Sequence, residues 1–145
     1  MDNSKKTKRK ILVTQALPYA NAPLHLGHIL EAVQSDIWAR FHNLNNNECL
    51  FFCADDTHGT PIMLKANEMG IKPEELIAEV YKDHESTYKL YDINFANFYS
   101  THSDENKKFS EYIYECAKNN NLISKSSIEQ LSLIHISEPT RPLHI

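Results

Sequence analysis

The feature that most constrains the fold is an alternation of short apolar runs with segments of helical periodicity. Residues 11–13 form a continuous apolar run that ends in the turn-rich segment 18–23, and residues 49–54 form a second run of the same kind. Such runs are typical of strands that are buried on both faces of a sheet. Because helical segments separate the strands, we predict an α/β fold with a parallel sheet and right-handed helical crossovers.

The first helical segment covers residues 27–41 and is amphipathic. We expect its apolar positions to face the core, and the polar residues 34–36 to occupy much of the opposite face. The apolar positions recur at helical spacing, with Trp38 adjacent to them, and they are Leu30, Val33, Ile37 and Phe41.

The sequence also indicates where later elements begin and end. Thr60 is expected to cap a helix that stops at a left-handed Gly70. A longer helix is predicted to begin at Pro73 and to run to about residue 90. Residues 95–99 are predicted to be extended, and Ser103 is expected to cap the last helix.

The composition fits one globular domain. The chain has 145 residues, of which 41% are hydrophobic and 23% are charged, and this is enough apolar material for a single core. No run approaches the roughly 18 apolar residues of a membrane helix, so we expect no membrane association and a cytoplasmic location. Cys49, Cys53 and Cys116 lack the spacing of a zinc site and are interpreted as reduced, buried thiols.

Charge is distributed unevenly along the chain. The net charge is −4, but five of the 15 basic residues lie in residues 1–10, which leaves 10 basic and 18 acidic residues in 11–145. Bulk charge therefore does not indicate a nucleic-acid binder. We predict that residues 1–9 form a basic, disordered arm and that the folded domain begins at Lys10.

The strongest candidate for a functional site is the segment 17–28, between the first strand and the first helix. Ligands of open α/β sheets bind outside the carboxyl ends of the strands. His25 and His28 lie three positions apart at the helix start, and Gly27 permits a close approach to the backbone. Imidazole donors and a helix N-terminus together suit phosphate oxygens. The pair could instead be exposed or capping residues, or metal ligands, although no third ligand is suitably spaced.

A second candidate segment, residues 55–61, follows the second strand and is expected to face the same crevice. A carboxylate of Asp55 or Asp56 could accept a charge-assisted hydrogen bond from the ammonium group of a ligand. Alternatively, both aspartates cap a turn and His58 is solvated. Three other histidines have no chemical context in the sequence, namely His42, His84 and His102.

At these residues the sequence resembles the methionyl-tRNA synthetases, class I enzymes with a Rossmann-type catalytic domain. His25-Leu26-Gly27-His28 resembles the HIGH signature, with Leu in place of Ile. The resemblance is carried in order by residues 16–21, 54–62 and 99–103, and it is closer to the methionine enzyme than to its relatives for other amino acids. It spans residues 10–130 and implies an incomplete first half of a Rossmann-type parallel-sheet domain.

The resemblance implies ATP-dependent activation of methionine, followed by transfer to tRNA(Met), without a covalent enzyme intermediate. His25 and His28 would be the catalytic residues, and Asp56 would hold the methionine ammonium while Tyr19 closes over the side chain. Mg²⁺ would accompany ATP, and zinc would bind only in a connective insertion that this sequence lacks. The implied methionine-binding residues are Leu17, Tyr19 and Asp56, and the implied ATP-binding residues are Pro18, Tyr19, Asn21, His25, Gly27, His28 and Glu31.

The sequence departs from the family at Gln15, where many relatives have a small residue, and again from residue 131. Residues 131–145 resemble a translated transposase-type sequencing adapter and are interpreted as a non-native tail. The KMSKS loop, whose lysines help to stabilise the leaving pyrophosphate, does not occur. We therefore expect an inactive fragment of an active enzyme, with apolar sheet surface exposed. Two alternatives stay open: another HIGH-type nucleotidyltransferase, and a non-catalytic ATP-binding or tRNA-associated module.

Overall fold

The computed structural model describes residues 8–125, in which three strands alternate with four helices. The predicted basic arm falls largely outside this range, and the predicted tail at 131–145 falls outside it entirely. The elements in chain order are β1 (Lys10–Thr14), α1 (Leu26–Leu44), β2 (Glu48–Asp55), α2 (Thr60–Met69), α3 (Pro73–Leu90), β3 (Asn97–Ser100) and α4 (Asp104–Asn119).

The three strands form one parallel sheet in the order β1-β2-β3. In the first pair Leu12 lies opposite Leu50, and in the second pair Cys53 lies opposite Phe98. Parallel neighbours require a crossover, which α1 supplies for the first pair and α2 with α3 for the second. The predicted α/β fold with a parallel sheet is confirmed.

Helices α1 and α3 cover one face of the sheet. The main core joins α1, β2 and the end of α3, and it includes Ile29, Ala32, Phe51 and Tyr88. On the opposite face, Leu12 of β1 is 69% exposed and Leu50 of β2 is 43% exposed. Apolar sheet surface is therefore exposed on this part of the chain.

The predicted buried face of α1 is wrong at Leu30, Ile37 and Phe41, whereas Val33 is half-buried against the core as expected. The buried positions are Ile29, Ala32, Asp36 and Ala39, whereas Leu30, Ile37, Trp38 and Phe41 are each about half exposed or more. The helix packs against the sheet through its small residues because alanines let the helix backbone approach the strands closely. The periodicity of the sequence identified the larger apolar residues instead. These form a second stripe along α1, which is mostly exposed.

Asp36 is buried in α1 because its carboxylate is fully used. Its Oδ2 accepts from Arg40 Nε at 2.6 Å, and its Oδ1 accepts from the backbone N–H of Asn94 at 3.2 Å. Arg40 also donates to the backbone carbonyl of Asp92. The buried Asp36 carboxylate is bonded to Arg40 and to the backbone N–H of Asn94, and it therefore links α1 to the turn before β3.

The boundaries of the shorter helices are mostly as predicted, with one correction. Gly59, at φ +132°, is the N-cap of α2 and Thr60 is the first helical residue, so Thr60 is not the cap. Gly70 is left-handed, at φ +67°, as expected of a helix C-cap. Ser103 Oγ accepts from the backbone N–H of Asn106, as a capping serine should.

Contacts divide the chain into two units, residues 1–109 and 110–145. The candidate site lies in the first. In the described part of the second, Ile113 is 64% exposed and Cys116 is half-buried. None of the helices within residues 8–125 has the length and hydropathy needed to cross a membrane.

Candidate functional site

Backbone pairing brings the two predicted segments together beyond the sheet. Asp56 donates its N–H to the carbonyl of Pro18 at 2.9 Å, and its own carbonyl accepts from the N–H of Ala20 at 2.8 Å. Tyr19 and Asp56 are therefore partners in an isolated parallel bridge. The loop after β1 is held beside the end of β2, at the edge where ligands of such sheets bind.

His25 and His28 cap the N-terminus of α1 with their own rings. His25 Nδ1 accepts from the backbone N–H of Gly27 at 3.1 Å, and His28 Nδ1 accepts from the backbone N–H of His25 at 3.3 Å. This reciprocal arrangement is a capping box built from two histidines. The two rings stack, with centroids 3.7 Å apart and planes 16° apart.

The capping contacts determine the tautomer of both histidines. A ring nitrogen that accepts from a backbone N–H carries no proton, so the proton of each neutral ring is on Nε2. Burial, together with the nearby rings of His25 and His84, lowers the pKa of His28 below its ordinary value. The site thus holds two Nε2–H donors next to the positive end of the α1 dipole.

Gly27 is required by the packing of the capping ring. A Cβ at this position would lie 2.9 Å from Cε1 of His25. Any larger residue would therefore push the His25 ring away from the backbone that it caps. The resemblance assigns Gly27 to the ATP side, and the geometry gives it a second reason to be glycine.

Tyr19 lies against the turn that begins α2. Its Oη donates to the carbonyl of His58 at 3.1 Å, and a Cβ on Gly59 would come within 2.6 Å of the same oxygen. Desolvation by burial, with a smaller contribution from Asp56, raises the pKa of Tyr19, so the hydroxyl is protonated and donates near neutral pH. Tyr19 and the turn 57–59 thus constrain each other.

The two aspartates of the second segment have different environments. Asp55 is fully buried, and its Oδ1 lies 2.7 Å from Nδ1 of His84, whereas Asp56 is half-buried beside Tyr19. Asp55 is therefore not accessible to a ligand. Asp56 is the carboxylate that could receive one.

The prediction that His84 has no chemical context is wrong. His84 is fully buried on α3, and its Nε2 lies 2.9 Å from the carbonyl of Ala22. A signal was present in the sequence, because His84 is four residues from both Val80 and Tyr88 and so shares the inward face of α3. A histidine at such a position needs buried partners.

The remaining predicted residues lie around the same loop. Leu17 is 42% exposed, Pro18 is buried and Asn21 is half-buried. Glu31 accepts from the N–H of Ala16 at 2.7 Å through Oε1, so this oxygen already stabilises the loop. Gln15, the position that departs from the family, is buried and donates to Tyr88 Oη at 3.2 Å. Their roles toward ligands stay predictions.

The third stretch of the resemblance, after β3, is bonded to the second. Thr101 Oγ1 accepts from the backbone N–H of Thr57 at 2.9 Å and lies 2.8 Å from the hydroxyl of Thr57. The segments that follow all three strands therefore lie together at the carboxyl edge of the sheet. Across residues 8–125, no three His, Cys, Asp or Glu side chains are grouped as metal ligands.

Comparison with known proteins gives one family match. The family described as tRNA synthetases class I (M) matches residues 11–137. This range extends past residue 130 into the segment interpreted as a foreign tail, and that interpretation stays a prediction.

The solved structures that share this fold include two synthetases. The Mycobacterium tuberculosis methionyl-tRNA synthetase in complex with methionyl-adenylate has a TM-score of 0.76 and 24% identity, over 78% of this chain and 22% of that one. The Agrobacterium radiobacter K84 agnB2 LeuRS, in a ternary complex with tRNA and LeuAMS, has a TM-score of 0.74 and 19% identity, over 81% and 15%. The chain thus spans about a fifth or less of the length of these relatives. On the family match, which covers most of its residues, the chain belongs to the class I tRNA synthetases of the methionine type, within their Rossmann-like catalytic domain.

Proposed function

We propose that these residues form the phosphate-binding and ammonium-binding part of a methionine-activating site. The whole enzyme would convert methionine and ATP to methionyl-adenylate and pyrophosphate, and would then transfer methionine to tRNA(Met) in the cytoplasm. The observation that carries the proposal is the histidine capping box, which holds His25 and His28 with both Nε2–H groups free to donate. The family match and the fold support the reaction class.

On the phosphate side, the proposed work is charge stabilisation. A carboxylate oxygen of methionine attacks the α-phosphorus, the bond to the bridging oxygen breaks, and pyrophosphate leaves with the electron pair. Negative charge on the phosphate oxygens is met by the Nε2–H groups of His25 and His28 and by the α1 N-terminus. Because both rings are already fixed by their caps, no reorganisation is needed as charge develops. Neither histidine acts as a nucleophile.

On the amino-acid side, Asp56 is proposed to bind the ammonium group. It is half-buried, beside the Tyr19 ring, and its backbone is fixed by the bridge to the loop after β1. Tyr19 and Leu17 would contact the side chain of methionine. Anchoring the ammonium there would place the carboxylate toward the histidine pair, which is the positioning that a bimolecular step requires.

Magnesium is proposed to reach the site with ATP, as part of the substrate. The family's ATP chemistry implies Mg²⁺, and the described residues contain no cluster of protein ligands for it. Zinc is assigned by the resemblance only to a connective insertion of family members, and no described residue is proposed to bind it.

The test removes the Nε2–H donors of His25 and His28 while keeping the N-cap of helix α1. Ser is a good N-cap residue and Ala is the best helix former, so His25→Ser and His28→Ala should preserve α1, and neither side chain carries an N–H donor. We expect each to weaken Mg-ATP binding to this chain about 10- to 100-fold, the effect of losing one charge-assisted hydrogen bond, with little change for methionine. His42→Ala, in the last turn of α1 and so at the end opposite the candidate site, is the matched control. Equal ATP affinity in all four proteins would contradict the proposal.

A synthetase for another amino acid is the competing function, favoured by the similar TM-score of the LeuRS structure. The two are separated by amino-acid binding, because Asp56 suits the ammonium group of any amino acid and does not discriminate side chains. Calorimetry with methionine and leucine, on the chain and on Asp56→Asn, tests both points. Stronger binding of leucine would support the competing function.

A further inference from the structure

His84 is a buried histidine that joins three separate parts of the chain. Its side chain on α3 is 1% exposed. Nδ1 lies 2.7 Å from Asp55 Oδ1 at the end of β2, and Nε2 lies 2.9 Å from the carbonyl of Ala22 in the loop before α1. Ala22 is only three residues before His25, so this contact lies next to the capping box.

The geometry of the two contacts suits a ring with a proton on each nitrogen. A backbone carbonyl only accepts, so Nε2 must donate to Ala22, and a carboxylate also accepts, so Nδ1 donates to Asp55. Burial opposes a charge here, but the hydrogen bonds to Asp55 and Ala22 together outweigh it and raise the pKa of His84. The other ionisable groups that act on it are Asp83 on the same helix and His28 on α1.

We propose that His84 is a positioning residue: as an imidazolium held by Asp55, it fixes the loop at Ala22 and thereby sets the place of His25 and His28. The proposal rests on the proposed function for its consequence in ATP binding, but its structural part is independent of any ligand. One buried charge pair thus connects the phosphate-binding helix to β2 and α3.

The charge on His84 has a second effect on the site. A positive ring near His28 disfavours a second proton on His28, and that proton would occupy the Nδ1 that caps the backbone of His25. The buried imidazolium therefore favours the neutral form of the half-buried His28. A neutral His28 is the form that both caps α1 and presents Nε2–H.

The first test uses the unsubstituted 145-residue chain. Long-range ¹H–¹⁵N spectra of the ¹⁵N-histidine-labelled protein at pH 7 report which ring nitrogens carry protons. We expect His84 to be protonated on both nitrogens and to titrate above 6.5, while His28 titrates below 6.5. A His84 ring with a single proton at pH 7 would overturn the proposal, with no variant required.

The second test is His84→Gln, which retains a donor for Ala22 but removes the charge, with His42→Gln in the last turn of α1 as control. We expect the pKa of His28 to rise, backbone amide signals of the loop before α1 to shift, and Mg-ATP to bind about three- to tenfold more weakly. Unchanged His28 titration and unchanged loop signals would overturn the proposal. If the unsubstituted chain binds no ATP, the proposed function fails in this chain, while the histidine titrations still decide the role of His84.

Discussion

Substituting Gly59 with alanine tests how the turn before α2 holds Tyr19. Gly59 has φ +132° and ψ 165°, a region almost confined to glycine, where another residue costs about 1–3 kcal/mol. The new Cβ would also lie 2.6 Å from Tyr19 Oη, which must move and lose its bond to His58, for about 0.5–1.5 kcal/mol more. We therefore expect Gly59→Ala to lower the free energy of unfolding by about 1.5–4.5 kcal/mol.

Gly70→Ala is the matched control, because it carries only the backbone part of the effect. Gly70 also has a positive φ, +67°, but nothing lies within 4 Å of its added Cβ. Left-handed alanine costs about 1–2 kcal/mol, so Gly70→Ala should be the milder change in urea unfolding followed by circular dichroism. If Gly59→Ala were no more destabilising than Gly70→Ala, the contact between Tyr19 and the turn would not constrain the fold as described.

Three further predictions concern other parts of the chain. Burial raises the pKa of Cys53 to about 12, so at pH 8 we expect a thiol reagent to modify Cys116 in the folded chain and Cys53 only after unfolding. Asp36→Ala leaves Arg40 and a backbone N–H without their partner, and should lower the free energy of unfolding by about 2–4 kcal/mol; equal stability would refute the assigned role. The pKa of His84 is raised, which means that the folded state binds the His84 proton more tightly than the unfolded state does. The protonated ring therefore contributes its full stability below pH 6.5, and this contribution is lost as the pH rises through the pKa of the folded state. Urea unfolding between pH 6 and 9 should show this loss, and His84→Gln should not.

The strands of the parallel sheet were predictable because short apolar runs bounded by turn residues are typical of strands, although β1 itself contains no buried residue. The buried face of α1 was not, because burial depends on what the helix packs against. Ala32 and Ala39 are inside since small residues let the helix approach the sheet, while Trp38 is exposed. Asp36, a polar residue in sequence terms, is buried because Arg40 is one turn away.

The candidate site shows the same division. The positions of His25 and His28 at a helix start followed from the sequence, but the use of both rings as caps depends on distances that spacing does not give. The pairing of His84 with Asp55 joins residues 29 apart, and nothing local indicates it. Long-range polar contacts of this kind are set by the fold as a whole.

We propose that His25 and His28 are held by their Nδ1 atoms so that their Nε2–H groups meet phosphate. The most direct measurement is the histidine ¹⁵N spectrum of the chain with and without Mg-ATP. We predict unprotonated Nδ1 and protonated Nε2 on both rings, and shifts on ATP addition that are large at these two histidines and small at His42, at the other end of α1. A proton on either Nδ1 at pH 7, or ATP shifts no larger than those of His42, would contradict this proposal.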